Sequence, residues 1–341
     1  MSRTTLQDVA RTAGVSLATV DRVLNRRPGV HVETAERVQA AIDHLKYRPD
    51  RLAARLARGR DHRFQFLLPI GSNAFMQALE QEVRATAERF SYERVHVAIT
   101  HVDVFDGEAL ARALDEQRGQ VDGVAVVALD HPSVREAIDE LTNSGVTVVT
   151  LVSDAPRARR AHYVGIDNSA AGRTAASLLG RFLAGKSGKV GLIAGSVALR
   201  DHIERQLGFE QVISRDFPNL IMLPVREGRD DDQRVETLAT ALIREHADLI
   251  GIYNVGAGNG GIVAALENAG RARELAFVAH ALTPFSRKHL IRGTIDAIIN
   301  QDPGHEARSA TRLLIAEREQ LPIDPGQERI RIDIFVRENL P

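Results

Sequence analysis

Cysteine is absent from the 341 residues, which excludes disulfide staples, thiolate metal sites and a cysteine nucleophile. No apolar run approaches the roughly 20 residues needed to span a bilayer. The start, MSRTTLQDVARTAG, lacks the apolar segment of a secretory signal. A cytoplasmic protein with no membrane partner is expected. Catalytic signatures are missing as well: there is no G-x-S-x-G and no H-E-x-x-H, and the twelve histidines are scattered without metal spacing. The run RDDD, Arg229 to Asp232, lacks the alternating pattern and bidentate glutamate of a calcium loop. It reads as a loop and helix start, where carboxylates favour the helix dipole. No catalytic residue, metal or cofactor is assigned, and no enzyme is expected.

What the chain does have is length for two or three domains and the balance of a globular protein, 44% hydrophobic and 26% charged. Its formal charge of −1 conceals an asymmetry. Residues 1–60 hold 12 Lys and Arg against 6 Asp and Glu, a net of +6, so the remaining 281 residues carry −7. A basic head on an acidic body suggests a nucleic-acid module attached to something else.

In the head, Leu6, Val9, Ala10 and Ala13 recur at helical spacing, Gly14 ends that helix, and Ser16 can cap the next. Val20, Val23 and Leu24 then face inward from a second helix. Two short helices joined by a tight Gly-Val-Ser turn predict a helix-turn-helix whose second helix lies in a major groove. A third helix, VETAERVQAAIDHL, brings Ala35, Val38, Ile42 and Leu45 to close a three-helix core. Beyond it, RPDRLAARLARGRD carries Arg51, Arg55 and Arg58 on a short further helix or linker suited to phosphates.

Residues 4–60, through TLQDVARTAGVSLATVDRVLN and the spaced residues that follow it, resemble the DNA-binding head and hinge of the LacI family of bacterial transcriptional regulators. The resemblance implies that Leu17, Ala18 and Arg22 read bases. Arg22 can make a bidentate contact to guanine, and the other two offer apolar contacts. It places Thr5, Ser16, Thr19 and Asn25 on phosphates, and makes Leu56 the hinge wedge between base pairs. The implied partners are double-stranded operator DNA, an approximate palindrome, and a second copy of the chain in a homodimer.

From Phe64 onward eleven apolar runs alternate with helical stretches: FQFLLPI, VHVAITHV, GVAVVAL, TVVTLV, HYVGID, KVGLIAG, IMLPV, LIGIYN, LAFVAHA, DAIINQ and RIRIDIFV. Continuous β-branched runs of this kind predict parallel sheets covered on both faces. The fold class is α/β, two doubly wound parallel-sheet subdomains preceded by a small all-α domain. Ligands of such sheets bind at the carboxyl ends of strands. Residues there include Asn73, Phe75, His131, Ser153, Asp154, Arg200, Arg205, Asn254, His280 and Gln301. An aromatic face among many hydrogen-bonding groups is what a sugar or polyol requires.

Residues 63–337 resemble the periplasmic-binding-protein-type effector domain of that family, in its ribose-binding-like branch, through GSNAF, RQLGF and NQDP. The resemblance implies crossings between subdomains near residues 166, 294 and 323. The resulting layout is a head at 1–48, a hinge at 49–62, one subdomain from 63–165 with 295–322, and another from 166–294 with 323–341. It implies a small-molecule effector (sugar, polyol, sugar acid or sugar phosphate) held by Asn73, Phe75, His131, Asp154, Arg200, Arg205, Asn254, His280 and Gln301. His280 replaces an aspartate usual in sugar binders, and with Arg200, Arg205 and Arg229 it points toward an acidic or phosphorylated sugar.

One motif supports a different reading. In YNVGAGNGG, Gly256, Gly258 and Gly261 have the G-x-G-x-x-G spacing of a dinucleotide loop between a predicted strand and helix. A ribose-binding acid should end the following strand, LAFVAHA, which ends instead at His280. An NAD(H)-responsive regulator, or an enzyme fused to a DNA-binding head, is the alternative to an effector-controlled repressor.

Overall fold

The structure is a computed structural model that describes residues 4–24, 28–47, 61–71 and 73–341. Two compact units separate, Met1–Asp61 and His62–Pro341.

The head contains three helices, α1 (Leu6–Ala13), α2 (Leu17–Leu24) and α3 (Val32–His44). Thr5 caps α1 in a reciprocal box: its hydroxyl oxygen accepts from the Asp8 amide, and its own amide donates to the Asp8 carboxylate at 2.9 Å. Gly14 ends α1 at φ 65°, a left-handed conformation that costs glycine nothing. Ser16 Oγ then accepts the Thr19 amide at 3.2 Å to start α2. Val9, Ala10, Ala13, Val20, Val38 and Ala41 form the core, ringed by Val15, Leu24, Ile42 and Leu45.

The body is built on two sheets. The first has the order β2-β1-β3-β4-β5, all parallel: β1 (His62–Pro69), β2 (Val95–Val102), β3 (Gly123–Val126), β4 (Thr147–Leu151) and β5 (His162–Val164). Successive side chains point to opposite faces of a strand, and both faces of this sheet are covered. In β1, Phe66 and Leu68 pack beneath helices Ala74–Ser91 and Pro303–Glu319, whereas Leu67 faces Leu110, Leu114 and Ile138 of helices Gly107–Asp115 and Pro132–Asn143. That double burial is why the strands read as unbroken apolar runs.

The second sheet has the order β12-β11-β10-β9-β6-β7: β6 (Gly188–Ala194), β7 (Leu220–Met222), β9 (Leu249–Asn254), β10 (Ala276–His280), β11 (Ala297–Asn300) and β12 (Asp333–Phe335), with the short β8 (Arg226–Glu227) also on β6. Only β12 runs antiparallel, against β11. Each of the eleven apolar runs holds a strand; β8 is additional.

The second and third crossings fall later than expected. β11 pairs in parallel with β10, so residues 297–300 belong to the second sheet, and the crossing expected near 294 comes after Asn300. Helix Pro303–Glu319 packs on the first sheet. Pro325–Glu328 stays beside that helix, with the Arg312 guanidinium donating to the Glu328 carboxylate at 2.6 Å. The crossing expected near 323 therefore lies between Glu328 and β12. A strand's pairing partner is set by tertiary packing, which the periodicity of residues 295–323 does not contain.

Candidate functional site

On the head, Leu17 stands 42% exposed on α2, and Ala18 and Arg22 of the same helix are exposed with it. An exposed leucine beside an exposed arginine is the surface expected of a base-reading helix. Ser16 and Thr19, joined by a 2.9 Å hydroxyl contact, sit at its start. Thr5 is exposed, but its hydroxyl also donates to Asp8 at 2.7 Å. Asn25 and Leu56 lie outside the described residues, as do residues 49–60 of the expected hinge at 49–62.

In the body, a cavity of about 260 Å³ is lined by both sheets. Its walls come from the carboxyl ends of strands: Gly71 after β1, Phe105 after β2, Ser153 after β4, Asp201 after β6, the Arg229–Asp232 turn after β8, Gly256–Gly260 after β9, and His280 and Gln301 at the ends of β10 and β11. Doubly wound sheets place ligands there because the loops at that end diverge and the helix N-termini converge.

Four nearly buried atoms in this cavity lack a hydrogen-bond partner: Ser153 Oγ, Asp201 Oδ1, Arg205 Nη2 and Gln301 Oε1. Each unsatisfied buried group costs about 1–3 kcal/mol, so together they mark a surface shaped for another polar molecule. The backbone carries strain in the same place. Seven non-glycine residues among those described have positive φ, and four of them, Val152, Arg229, Asp230 and Ala281, line the cavity. For β-branched Val152 at φ 64° this is an outlier, of the kind held where surrounding structure over-determines it.

The holding groups form a chain. The Tyr163 hydroxyl donates to the Val152 carbonyl at 2.9 Å and accepts from the Asn168 side-chain amide at 3.0 Å. Asn168 Oδ1 accepts from Arg205 Nε at 2.8 Å, and Arg205 Nη1 donates to the Val255 carbonyl at 2.9 Å. Burial pushes the Tyr163 hydroxyl well above the usual tyrosine range, so it remains a donor. The chain links the loop after β4 to the loop after β9. Arg205 can sit there because helices Asn168–Phe182 and Arg200–Asp216 cross closely at glycines: a Cβ on Gly172 would run into the Arg205 carbonyl, and one on Gly208 into the Ser169 carbonyl.

His280 is 6% exposed, and burial holds its imidazole well below the usual histidine range, with Arg205 acting in the same direction. It is neutral. Its Nε2 lies 2.8 Å from the Tyr253 hydroxyl, which is fully buried and has burial raising its pKa. A buried hydroxyl needs an acceptor, and Nε2 is the one in reach, which leaves the proton on Nδ1.

The glycine loop is filled from within. Asp230 Oδ1 accepts the Ala257 amide at 3.0 Å, and Asp232 Oδ1 accepts the Gly261 amide at 3.3 Å. A Cβ on Gly256 would fall 2.8 Å from Asp230 Oδ1, and one on Gly260 would fall 2.7 Å from Asp232 Oδ2. These glycines make room for the chain's own carboxylates, where a dinucleotide loop makes room for pyrophosphate.

Two family models match the chain: bacterial regulatory proteins of the LacI family over residues 5–50, and the periplasmic binding protein domain over residues 64–319. The chain belongs to the LacI family. Among curated relatives it is 32% identical over 149 residues to a catabolite control protein A from Priestia megaterium, covering 44% of this chain and 43% of that one. It is 26% identical over 349 residues to a ribose operon repressor from Halalkalibacterium halodurans, covering 98% and 96%. The alignments to the first of these relatives span about half of their length or less. The solved structure of GanP, a glucose-galactose binding protein from Geobacillus stearothermophilus, shares the fold at TM-score 0.74 and 21% identity, over 83% of this chain and 99% of that one. An ABC transporter solute binding protein from Burkholderia graminis, in complex with D-arabinose, does so at 0.73 and 24%, over 82% and 96%.

In this LacI-family body, Asn73, Phe75, Arg205, His280 and Gln301 meet at the cavity as the sequence predicts. Four expected residues do not. His131 precedes helix Pro132–Asn143 and turns its ring onto Gly107, where an added Cβ would fall 2.6 Å from Nδ1. Asp154 is engaged by Arg160 at 2.5 and 2.7 Å and by the Thr150 hydroxyl at 2.6 Å. Arg200 pairs with Glu204 one helical turn away at 2.7 Å. Asn254 is buried and donates to the Ala257 carbonyl and to Asn259 Oδ1, shaping the glycine loop from behind. Strand-end position places a residue near the cleft, but the direction of the following turn decides which side chains enter it.

Asp201, His202, Phe105 and Asp230 line the cavity without having been expected to hold the effector. Asp201 precedes Arg205 by one helical turn, a spacing visible in RDHIER. Asp230 belongs to RDDD, whose reading as a loop and helix start is correct for Asp231, which caps helix Asp232–Glu245. Among the described residues, no group of three or more His, Asp or Glu is placed to hold a metal, and no helix is long and apolar enough to cross a membrane.

Proposed function

We propose that this chain is a cytoplasmic, non-enzymatic DNA-binding regulator, acting as a repressor, whose operator affinity is set by a sugar- or polyol-like effector in the cleft. The observation that carries the effector is the set of four orphaned polar atoms beside the Phe75 and Phe105 rings in one cavity. Hydroxyls satisfy such atoms, and sugar C–H faces pack on aromatic rings. The names of the relatives, a ribose operon repressor and a glucose-galactose binding protein, support the same class. In this reading a homodimer presents two heads to the half-sites of an approximate palindrome. Effector binding changes the angle between the subdomains, and residues 49–62 transmit that change to the heads.

A thermal-shift screen of sugars, polyols and NAD(H) tests the effector. A ligand at a hundredfold over its Kd stabilises the folded chain by about 2.7 kcal/mol, and a response to NADH alone would refute the polyol reading. A competition gel shift on the upstream region of the gene tests the head. Arg22→Ala is expected to lose about 1–3 kcal/mol of discrimination, and unchanged specific binding removes the assignment of α2.

A further inference from the structure

The Arg229–Asp232 turn contributes more to the cleft than shape. Asp230 and Asp232 occupy the amides of Ala257 and Gly261. Asp231 takes the Arg234 amide at 2.8 Å. Two of the donors that the glycine loop and its helix would otherwise offer to an anion, the amides of Ala257 and Gly261, are thereby met by the chain's own carboxylates. The cavity also has two arginines, 205 and 229, against four aspartates, 201, 230, 231 and 232. Arg205 has two of its nitrogens bonded to Asn168 and Val255, with Asp201 3.8 Å from the third. The Arg229 guanidinium lies over the Phe105 ring, 5.5 Å from its centre.

Two of the four orphaned atoms point the same way, and the charge of the donor among them, Arg205 Nη2, is faced by Asp201 at 3.8 Å. Asp201 Oδ1 and Gln301 Oε1 are acceptors, 5% and 7% exposed as residues. They require O–H or N–H donors, which a fully ionised phosphate ester group or a carboxylate lacks.

We infer that Asp230 and Asp232 form a charge filter: they supply the glycine loop with an internal anion and restrict the cleft to uncharged polyhydroxyl effectors, excluding phosphorylated and carboxylated ones. This replaces the acidic or phosphorylated sugar expected from the arginines and His280. It also assigns Gly256 and Gly260 of the glycine loop a task unrelated to nucleotides. The inference rests on the effector reading of the same cavity, but part of its test is independent of that reading.

The full-length chain is melted in phosphate and in chloride at matched ionic strength. Wild type is expected to show no phosphate-specific stabilisation. Asp230→Asn, Asp232→Asn and the double variant remove the charge with little change of shape, and are expected to gain it. Asp248→Asn, at an exposed acid beside Lys189, controls for net charge and should gain nothing. Phosphate stabilisation of wild type, or none in any folded variant, overturns the filter; the single variants keep the test alive should the double variant fail to fold. In a second arm, the neutral polyol that responds best is compared with its phosphate ester. The ester is expected to bind wild type at least about a hundredfold more weakly, and equal affinity overturns the inference. If no neutral polyol binds while the phosphate arm behaves as stated, the filter stands and the polyol reading fails.

Discussion

The Asn73 side-chain amide donates to the Asp230 carboxylate at 3.0 Å, joining the loop after β1 to the turn after β8 across the cleft. The other end of the same side chain caps helix Ala74–Ser91, with Oδ1 accepting the Phe75 and Met76 amides at 3.0 and 3.3 Å. Asn73→Asp retains an acceptor for the cap but sets a second carboxylate against Asp230. Effector affinity by calorimetry is expected to fall at least about tenfold, because like-charge contact costs several kcal/mol. Asn73→Ala loses the cap as well, and should cost about 1 kcal/mol in a urea melt. Undiminished affinity in Asn73→Asp would mean that the contact plays no part in effector binding.

Glu306 is fully buried on helix Pro303–Glu319, and neither of its carboxylate oxygens has a partner. Burial pushes its carboxyl well above the ordinary range, with Arg205 pulling the other way. The folded-state value lies above the unfolded one, so the folded chain retains a proton that the unfolded chain releases. The contribution to stability is complete below the unfolded value and is lost as pH rises toward the folded one. Glu306→Gln has no proton to release. Its stability relative to wild type, from urea melts, should increase steadily from pH 5 to pH 8, and a pH-independent difference would sink this account.

His280 runs in the opposite sense. Its folded-state value is depressed by burial, so its contribution is complete above the ordinary histidine range and is lost as pH falls below it. A pH titration of the His280 ring resonance in the folded chain should show a neutral imidazole throughout the range from pH 8 to 6.

Gly172→Ala would set a Cβ against the Arg205 carbonyl, and Gly208→Ala one against the Ser169 carbonyl. Backbone cannot swing aside as a side chain can, so each is expected to cost about 1–3 kcal/mol or more in a urea melt. The surviving folded protein should also bind effector more weakly, since the crossing that positions Arg205 has opened. Wild-type stability in both variants would mean that the helices pack less closely.

Asp154→Ala should separate stability from binding. Loss of the carboxylate strands Arg160 and the Thr150 hydroxyl, at about 1–3 kcal/mol. Effector affinity should stay at the wild-type level because Asp154 does not line the cavity, and a calorimetric loss would place it in the site after all.

The head was legible because its information is local. Apolar spacing, a left-handed glycine and a capping serine act within one or two turns, and α1 to α3 follow from them. The eleven strands were legible for a related reason: burial on both faces leaves unbroken apolar runs. The second crossing was not, because whether residues 297–300 join one sheet or the other depends on the free edge of β10. Of the cavity residues, Asn73, Arg205, His280 and Gln301 could be read from strand-end position. Asp154 and Arg200 could not be told apart from them, since their nearby partners Arg160 and Glu204 draw them elsewhere.

The stretch YNVGAGNGG shows where the division lies. By itself the sequence determined a strand, a glycine turn and a helix there, since those follow from propensity and spacing over a dozen residues. What the glycines accommodate was decided by tertiary structure, because the space beside a missing Cβ belongs to whichever group the fold brings to it. In this chain Gly256 and Gly260 face the carboxylates of Asp230 and Asp232, Gly258 faces Val235, and Gly261 faces the backbone of Asp232, so the loop that spacing alone would offer to a pyrophosphate closes on the turn and helix after β8 instead.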